Sequence, residues 1–312
     1  MDEIVRHSKD LIERGSKSFA GAARLFSPSV RDDAYMLYAW CRHCDDQIDG
    51  QDLGFASAQM PTSSIDDRLA DLKAQTLDAI TGKAEHPVFI ALSRVVAKHD
   101  MDPRYPLDLL DGFAMDARGH DYATLNDTIL YSYHVAGVVG VMMAIIMGAK
   151  DAATLNRACD LGIAFQLTNI SRDVIDDAKE GRIYLPADWL AAEGITSEDI
   201  SSPQQREALY RVVARVLGIA DDYYASARHG LTALPFRSAW AIAAARRVYR
   251  EIGSVIQQHG PRAWDHRVVV ARRQKLASVA LALTDAAGAR SLGRLRTPPP
   301  RTGLWTKVGL EA

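Results

Sequence analysis

The residues with the most chemistry in them form two aspartate-rich segments. One reads Tyr38-Ala-Trp-Cys-Arg42-His-Cys-Asp45-Asp46-Gln-Ile-Asp49, the other Gln166-Leu-Thr-Asn169-Ile-Ser-Arg172-Asp173-Val-Ile-Asp176-Asp177. In each, two aspartates are spaced i, i+4: Asp45 with Asp49, and Asp173 with Asp177. On a helix that spacing places the side chains on one face, with Cβ atoms roughly 5–6 Å apart, and like charges that close destabilise the helix. A hard divalent cation between them removes the penalty. Carboxylate oxygens suit Mg²⁺ or Mn²⁺, and Mg²⁺ usually combines one or two protein carboxylates with water and substrate phosphate oxygens. Arg42 and Arg172 add planar guanidinium forks that match phosphate geometry. The pattern is that of a site that grips diphosphate groups.

At about 100° per residue, Tyr38, Arg42, Asp45, Asp46 and Asp49 share one arc of a helix. Gln166, Asn169, Asp173 and Asp177 form a second, narrower stripe, flanked by Leu161, Ile163, Leu167, Val174 and Ile175. A polar stripe on an apolar helix points at something polar inside a bundle, and inward carboxylates from facing helices are a known way to build metal sites. One DxxxD alone is more simply a solvated acidic face; two, each with an arginine and the second with Gln and Asn, are not. Asn169 is a candidate metal ligand beside the four aspartates. Gln166 either orients the diphosphate or supports the ligating residues from behind.

The elements that hold these segments read as helices throughout. Apolar spacing predicts them near 3–14, 29–49, 65–81, 87–99, 105–117, 125–147, 152–179, 204–229, 236–258 and 262–287. Ser63 or Ser64, Asn126 and Pro203 fit helix starts. No Asn-Gly or Asp-Gly hairpin signal and no alternating strand pattern appears. The expected architecture is all-α: a single large helical domain over 1–290, with an irregular basic tail over 291–312.

With 312 residues and 48% hydrophobic content the chain can bury a large core. A net charge of −2 argues against a nucleic-acid partner. The charged N-terminus has no apolar signal core. The longest uncharged apolar run, Val135 to Ala149, is 15 residues, whereas a membrane span needs roughly 17–25. Cys41 and Cys44 form a CxxC inside a helical pattern, which reads as packing rather than redox or zinc chemistry. Three cysteines make no disulfide framework, and the expected location is cytoplasmic. The sequence sets no oligomeric state.

The spaced motifs resemble the squalene/phytoene synthase family. Tyr131-Ser-Tyr-His-Val-Ala136-Gly137-Val-Val-Gly140 is similar to one family signature. Leu161-Gly162 through Asp177, closing with Gly181-Arg182-Ile-Tyr184-Leu-Pro186, is similar to the other, and Ser16-Lys17-Ser18-Phe19 resembles the N-terminal segment. The likeness runs from about residue 16 to 277. Within the family it is closest to bacterial phytoene synthases, through Pro261-Arg-Ala-Trp264-Asp and the Pro-Pro-Pro-Arg-Thr-Gly-Leu-Trp305 tail. The one mild departure is Asp176, where many relatives carry Glu.

The resemblance implies a prenyl-synthase (isoprenoid synthase) fold with a central cavity. It implies an isoprenoid diphosphate substrate and a two-step, head-to-head condensation of two geranylgeranyl diphosphates through prephytoene diphosphate. It implies Mg²⁺ or Mn²⁺ on Asp45, Asp49, Asn169, Asp173 and Asp177, with Arg42 and Arg172 on the diphosphate and no NADPH. Ser18, Lys17 and Arg267 are further diphosphate candidates, with ordinary surface charge the competing reading for Lys17 and Arg267. Tyr38, Tyr131 and Tyr249 are candidate cavity walls, since electron-rich ring faces stabilise a carbocation without attacking it; core packing is the alternative for Tyr249. Val138, Val139, Met142, Met143, Ile145 and Ile146 line a tunnel or simply pack a core. The apolar product implies peripheral contact with the inner face of the cell membrane; for the basic tail, solvation is the commoner meaning. A farnesyl-diphosphate-using squalene or dehydrosqualene synthase is the rival enzyme, and a non-catalytic assembly factor the rival class.

Overall fold

The computed structural model describes residues 2–15, 17–49, 51–52, 55–56, 63–291 and 297–307. The side chains of Lys17, Ser18 and Asp49 lie outside the described residues. In chain order the helices are α1 (Glu3–Gly15), α2 (Lys17–Ala23), α3 (Pro28–Asp49), α4 (Ile65–Ile80), α5 (Pro87–His99), α6 (Arg104–Ala117) and α7 (Leu125–Ser132). A π-turn (Tyr133–Gly137) leads into α8 (Val138–Ile146), followed by α9 (Ala152–Lys179), α10 (Ala187–Ala192), α11 (Arg206–Ala227), α12 (Phe236–His259) and α13 (Arg272–Ser291). The only strands among the described residues are a two-residue antiparallel pair, Gln51–Asp52 with Phe55–Ala56. The all-α expectation holds.

Differences are local and have causes. Ser64 caps α4 as expected, its hydroxyl accepting from the Asp67 N–H at 3.1 Å. The cap of α7 is Thr124 rather than Asn126, in a reciprocal box with Asp127. The last long helix begins at Arg272, ten residues later than the spacing predicts. The three consecutive valines 268–270 explain the delay: β-branched side chains resist helix, and Val268 and Val270 are buried while Val269 faces out, an extended alternation. Helices α2 and α10 went unread because each is too short to show a period.

The axis of the bundle is one continuous helix. The segments α7, the π-turn and α8 run unbroken from Leu125 to Ile146, long and apolar enough by composition to cross a membrane. The sequence reading counted a shorter run because it started at Val135. In the fold this helix is internal, packed against α3, α6 and α9. Val138, Val141 and Met142 are completely buried. Glycines allow α9 to come this close. A Cβ on Gly162 would lie 2.2 Å from the Ala136 carbonyl oxygen and 2.7 Å from Gly137 Cα; one on Gly140 would lie 2.4 Å from the Ala158 oxygen. These are backbone obstacles, so no rotamer change relieves them. On the other side, a Cβ on Gly112 of α6 would come within 2.8 Å of His134 Cβ.

The C-terminal segment is where the sequence expectation fails most. Residues 297–307 are irregular but not a solvated tail. The Arg301 guanidinium donates to both carboxylate oxygens of Asp160 at 2.6 and 2.8 Å, and Asp160 is fully buried on α9. Ser226 donates to the same carboxylate at 2.5 Å. Arg157 donates to the Pro299 carbonyl at 2.7 Å. The Trp305 N–H donates to the Tyr223 hydroxyl at 3.1 Å, its ring lies 4.9 Å from Tyr133, and the Lys307 ammonium pairs with Asp108 of α6. Removing Arg301 would strand a carboxylate in the core, a loss of about 3–5 kcal/mol for a buried pair broken on one side.

The glycine contacts give a direct test. Gly162→Ala and Gly140→Ala should each destabilise by about 1–3 kcal/mol or more, the cost of overpacking against atoms that cannot move aside. Gly218→Ala on the exposed face of α11, where an added Cβ meets nothing within 4 Å, should instead stabilise by about 0.5–1 kcal/mol. Urea unfolding of the three variants reads the contrast; equal effects at positions 162 and 218 would remove the close-approach account.

Candidate active site

The first motif occupies the C-terminal half of α3. Arg42 donates to Asp45 at 2.9 Å and to Asp46 at 2.7 Å, bridging two carboxylates that would otherwise repel. Asp46 is mostly buried, and Asp45 is the more open of the two. Tyr38, one turn before Arg42, is half-buried, and burial pushes its phenol up. Helix α1 closes over it: a Cβ on Gly15 would lie 2.7 Å from the Tyr38 hydroxyl oxygen. Cys44 is completely buried. Burial pushes the Cys41 thiol up to about 12 and Cys44 well above its usual range. Both are inert as nucleophiles and serve packing.

The second motif lies near the C-terminal end of α9. Arg172 forms a two-pronged pair with its neighbour Asp173, with Nε to Oδ1 at 2.8 Å and Nη2 on Oδ2. Asp177, one turn on, is held up to about 7: burial acts first and the Asp173 charge second, with Arg182 opposing. One turn before Asp173, the Asn169 amide donates to Gln166 Oε1 at a long 3.4 Å, while Asn169 Oδ1 is buried with no hydrogen-bond partner. A buried acceptor without a donor marks a place for a ligand. Gln166 thus stands behind Asn169. Tyr249 of α12 stacks on Phe165 at 4.2 Å and borders Arg172.

Helix α8 lies against both α3 and α9. A tyrosine cluster stands at its N-terminal approach. Tyr131 and Tyr184 both donate to Asp116, at 2.7 and 2.9 Å, and their rings stack at 4.8 Å with Tyr122 edge-on to each. Burial and Asp116 push the Tyr131 phenol well up, so it keeps its proton. The Tyr184 strand of chain is fixed here because Thr128 donates to its carbonyl at 2.8 Å. Sequence reasoning missed Asp116, Asp108 and Asp160; the available signal was a carboxylate inside an apolar helical run, as in Cys159-Asp160-Leu161. Arg267 is exposed on 265–271, and the Trp264 indole N–H, donating to the Ser171 carbonyl at 3.1 Å, brings that segment to the turn of Arg172.

A second oxygen-and-imidazole group was also unforeseen. Asp108, Asp111 and His134 offer ligand atoms within 4.8 Å of one another. His134 Nδ1 lies 2.7 Å from the Asp108 carbonyl, and the Lys307 ammonium and Tyr133 hydroxyl already neutralise the Asp108 carboxylate. The Asp173 region is the better cation site. There the raised Asp177, the orphaned Asn169 oxygen and an all-oxygen donor set fit Mg²⁺ or Mn²⁺.

An all-helical bundle with such a site is the architecture of an isoprenoid synthase. Residues 12–274 match the squalene/phytoene synthase family. The chain is 49% identical to a 15-cis-phytoene synthase of Pantoea ananas, over 97% of this chain and 98% of that one. It is likewise 49% identical to a 15-cis-phytoene synthase of Paracoccus sp., over 98% and 99%. Among solved structures, a dehydrosqualene synthase in complex with ligand superposes with a TM-score of 0.79 at 27% identity, covering 90% of this chain and 96% of that one. The chain belongs to the squalene/phytoene synthase family.

Asp177 supplies a pH test. Its folded-state pKa of about 7 lies above the ordinary 3.8, so the folded chain holds that proton more tightly than the unfolded one. Its contribution to stability is therefore fullest at low pH and is lost as pH rises toward 7. In metal-free buffer, Asp177→Asn should have little effect on Tm near the acid end and should raise Tm relative to the native chain at alkaline pH. A Tm difference that does not change with pH would overturn the assignment of burial and Asp173 repulsion to this carboxyl.

Proposed function

We propose that this protein joins two geranylgeranyl diphosphates head to head, through prephytoene diphosphate, to phytoene, the first committed step of carotenoid formation. The observation that carries the reading is near-full-length identity of 49% to proteins named 15-cis-phytoene synthase, in a chain that keeps all four motif aspartates. In the first step the donor's C–O bond breaks and the electron pair leaves with diphosphate. The allyl cation is then attacked by the acceptor's C2–C3 double bond, and proton loss closes a cyclopropane. In the second step the remaining diphosphate leaves, the skeleton rearranges, and a proton departs to give the central double bond.

Asp45, Asp49, Asn169, Asp173 and Asp177 would hold Mg²⁺ or Mn²⁺. When bound, the ion supplies neutralisation of charge on the leaving diphosphate. In the unliganded chain Arg42 and Arg172 neutralise the same aspartates. Diphosphate binding would turn the two forks outward to phosphate oxygens, where paired charge-assisted bonds are strongest. Lys17, Ser18 and Arg267 would add contacts at the rim. Tyr38, Tyr131 and Tyr249 would present electron-rich faces to the cations, with Tyr131 fixed by Asp116. Val138, Val139, Met142, Met143, Ile145 and Ile146 would border the prenyl chains. The enzyme would work in the cytoplasm, in peripheral contact with the membrane that receives its product.

Purified protein incubated with geranylgeranyl diphosphate and Mg²⁺ should yield a 40-carbon hydrocarbon, unchanged in rate or identity by NADPH. Asp45→Asn, Asp49→Asn, Asp173→Asn and Asp177→Asn should each cost orders of magnitude in kcat, and chelation should abolish turnover. Arg172→Lys should lose roughly 10²-fold or more, since it keeps the charge and loses the fork. Faster turnover of farnesyl diphosphate, or a product reduced by NADPH, would transfer the assignment to the squalene type. Full activity in excess chelator would remove the metal.

A further inference from the structure

Helix α13 is apolar on both of its faces, and only one of them is covered. Its inner face, with Ala282 and Ala286 buried and Val279 beside them, packs on α12 and the turn at Leu231. Its outer face carries Leu276, Ala280, Leu283 and Ala287, an i, i+4, i+7, i+11 stripe, all exposed. Leu276 is 63% exposed and Leu281, about 140° further round the helix, is 52% exposed. Val269, just before the helix, is 64% exposed between two buried valines. Single exposed leucines need no explanation, but four of the six exposed large hydrophobics among the described residues, Val269, Leu276, Leu281 and Leu283, fall within this one short segment, and such a concentration implies a partner.

The charges around the stripe select that partner. From Arg262 to Ser291 there are six cations, Arg262, Arg267, Arg272, Arg273, Lys275 and Arg290, and two anions, Asp265 and Asp285. Asp285 is engaged by Arg247 at 2.6 and 3.0 Å. A chain with net charge −2 thus concentrates cations around one uncovered apolar strip. A second copy of the chain related by a two-fold axis would bring those cations together. An anionic bilayer complements both features: leucines enter the acyl boundary while arginines meet headgroups. The Trp264–Ser171 hydrogen bond ties this surface to the turn that carries Arg172.

We propose that the outer face of α13, with Val269 and Arg267, is the surface by which this protein docks on anionic lipid, next to the Arg172 end of the site. The proposal rests on the membrane contact included in the proposed function and names the surface that makes it. It is tested on the whole protein without substrate, by flotation with vesicles of phosphatidylcholine alone or mixed with phosphatidylglycerol. The native chain should float with the anionic vesicles and fall back as salt rises. Leu276→Ser/Leu283→Ser and Arg272→Glu/Arg273→Glu should each lower partitioning by roughly tenfold or more with Tm unchanged. Ile65→Ser/Leu77→Ser, on exposed apolar positions of α4, should float as the native chain does. Turnover of geranylgeranyl diphosphate in detergent micelles should be normal in all three variants. If that turnover is absent from the native chain while flotation behaves as described, the proposed function fails and the docking surface stands. Native protein that does not float, α13 variants that float unchanged, or α13 variants that instead dissociate a dimer would each overturn the docking surface.

Discussion

Everything in this fold depends on how closely two helices are allowed to approach. The π-turn and α8 touch α9 backbone to backbone, and at Gly140 and Gly162 no side chain fits. That contact fixes the height and rotation of α9 against the central helix. Since the second motif is simply the continuation of α9, it also fixes where Asn169, Arg172, Asp173 and Asp177 emerge. The π-turn belongs to the same constraint. His134 within the turn meets the Asp108 carbonyl and Tyr131, just before it, donates to Asp116, and π-turns often mark functional sites.

Around this frame the protein keeps charge frustration and answers it with arginine. Asp45 and Asp46 lean on Arg42, and Asp173 leans on Arg172. Asp177, where burial and the Asp173 charge outweigh the opposing Arg182, is held up to about 7. Under the proposed function, a divalent ion with diphosphate would satisfy the carboxylates and the arginines together. The raised carboxyl, the buried Asn169 oxygen and the arginine forks are the groups that support that reading.

The C-terminal segment completes the interior in a way its composition hides. Arg301, Trp305 and Lys307 insert beside Asp160, Tyr133 and Asp108, joining α9, the π-turn and α6 from behind. Asp160 and Asp108 are buried acids that would be intolerable alone. Residues 301–307 are therefore part of the core's electrostatics.

The sequence by itself determined the long helices and their order, and it put both aspartate pairs on helices. It could do so because a 3.6-residue apolar period and an i, i+4 carboxylate pair are local quantities, legible without knowing what lies opposite. The packing role of Cys41 and Cys44 was legible for the same reason. Only the tertiary structure decided which residues outside the motifs serve them. Asp116 holding Tyr131 and Tyr184, Arg301 reaching Asp160, and Trp264 reaching Ser171 join positions from 15 to 141 residues apart. It also decided that Val268 to Val270 run extended where the amino acids around them promised helix. Pairing across such separations depends on packing, and packing is set by the whole chain at once.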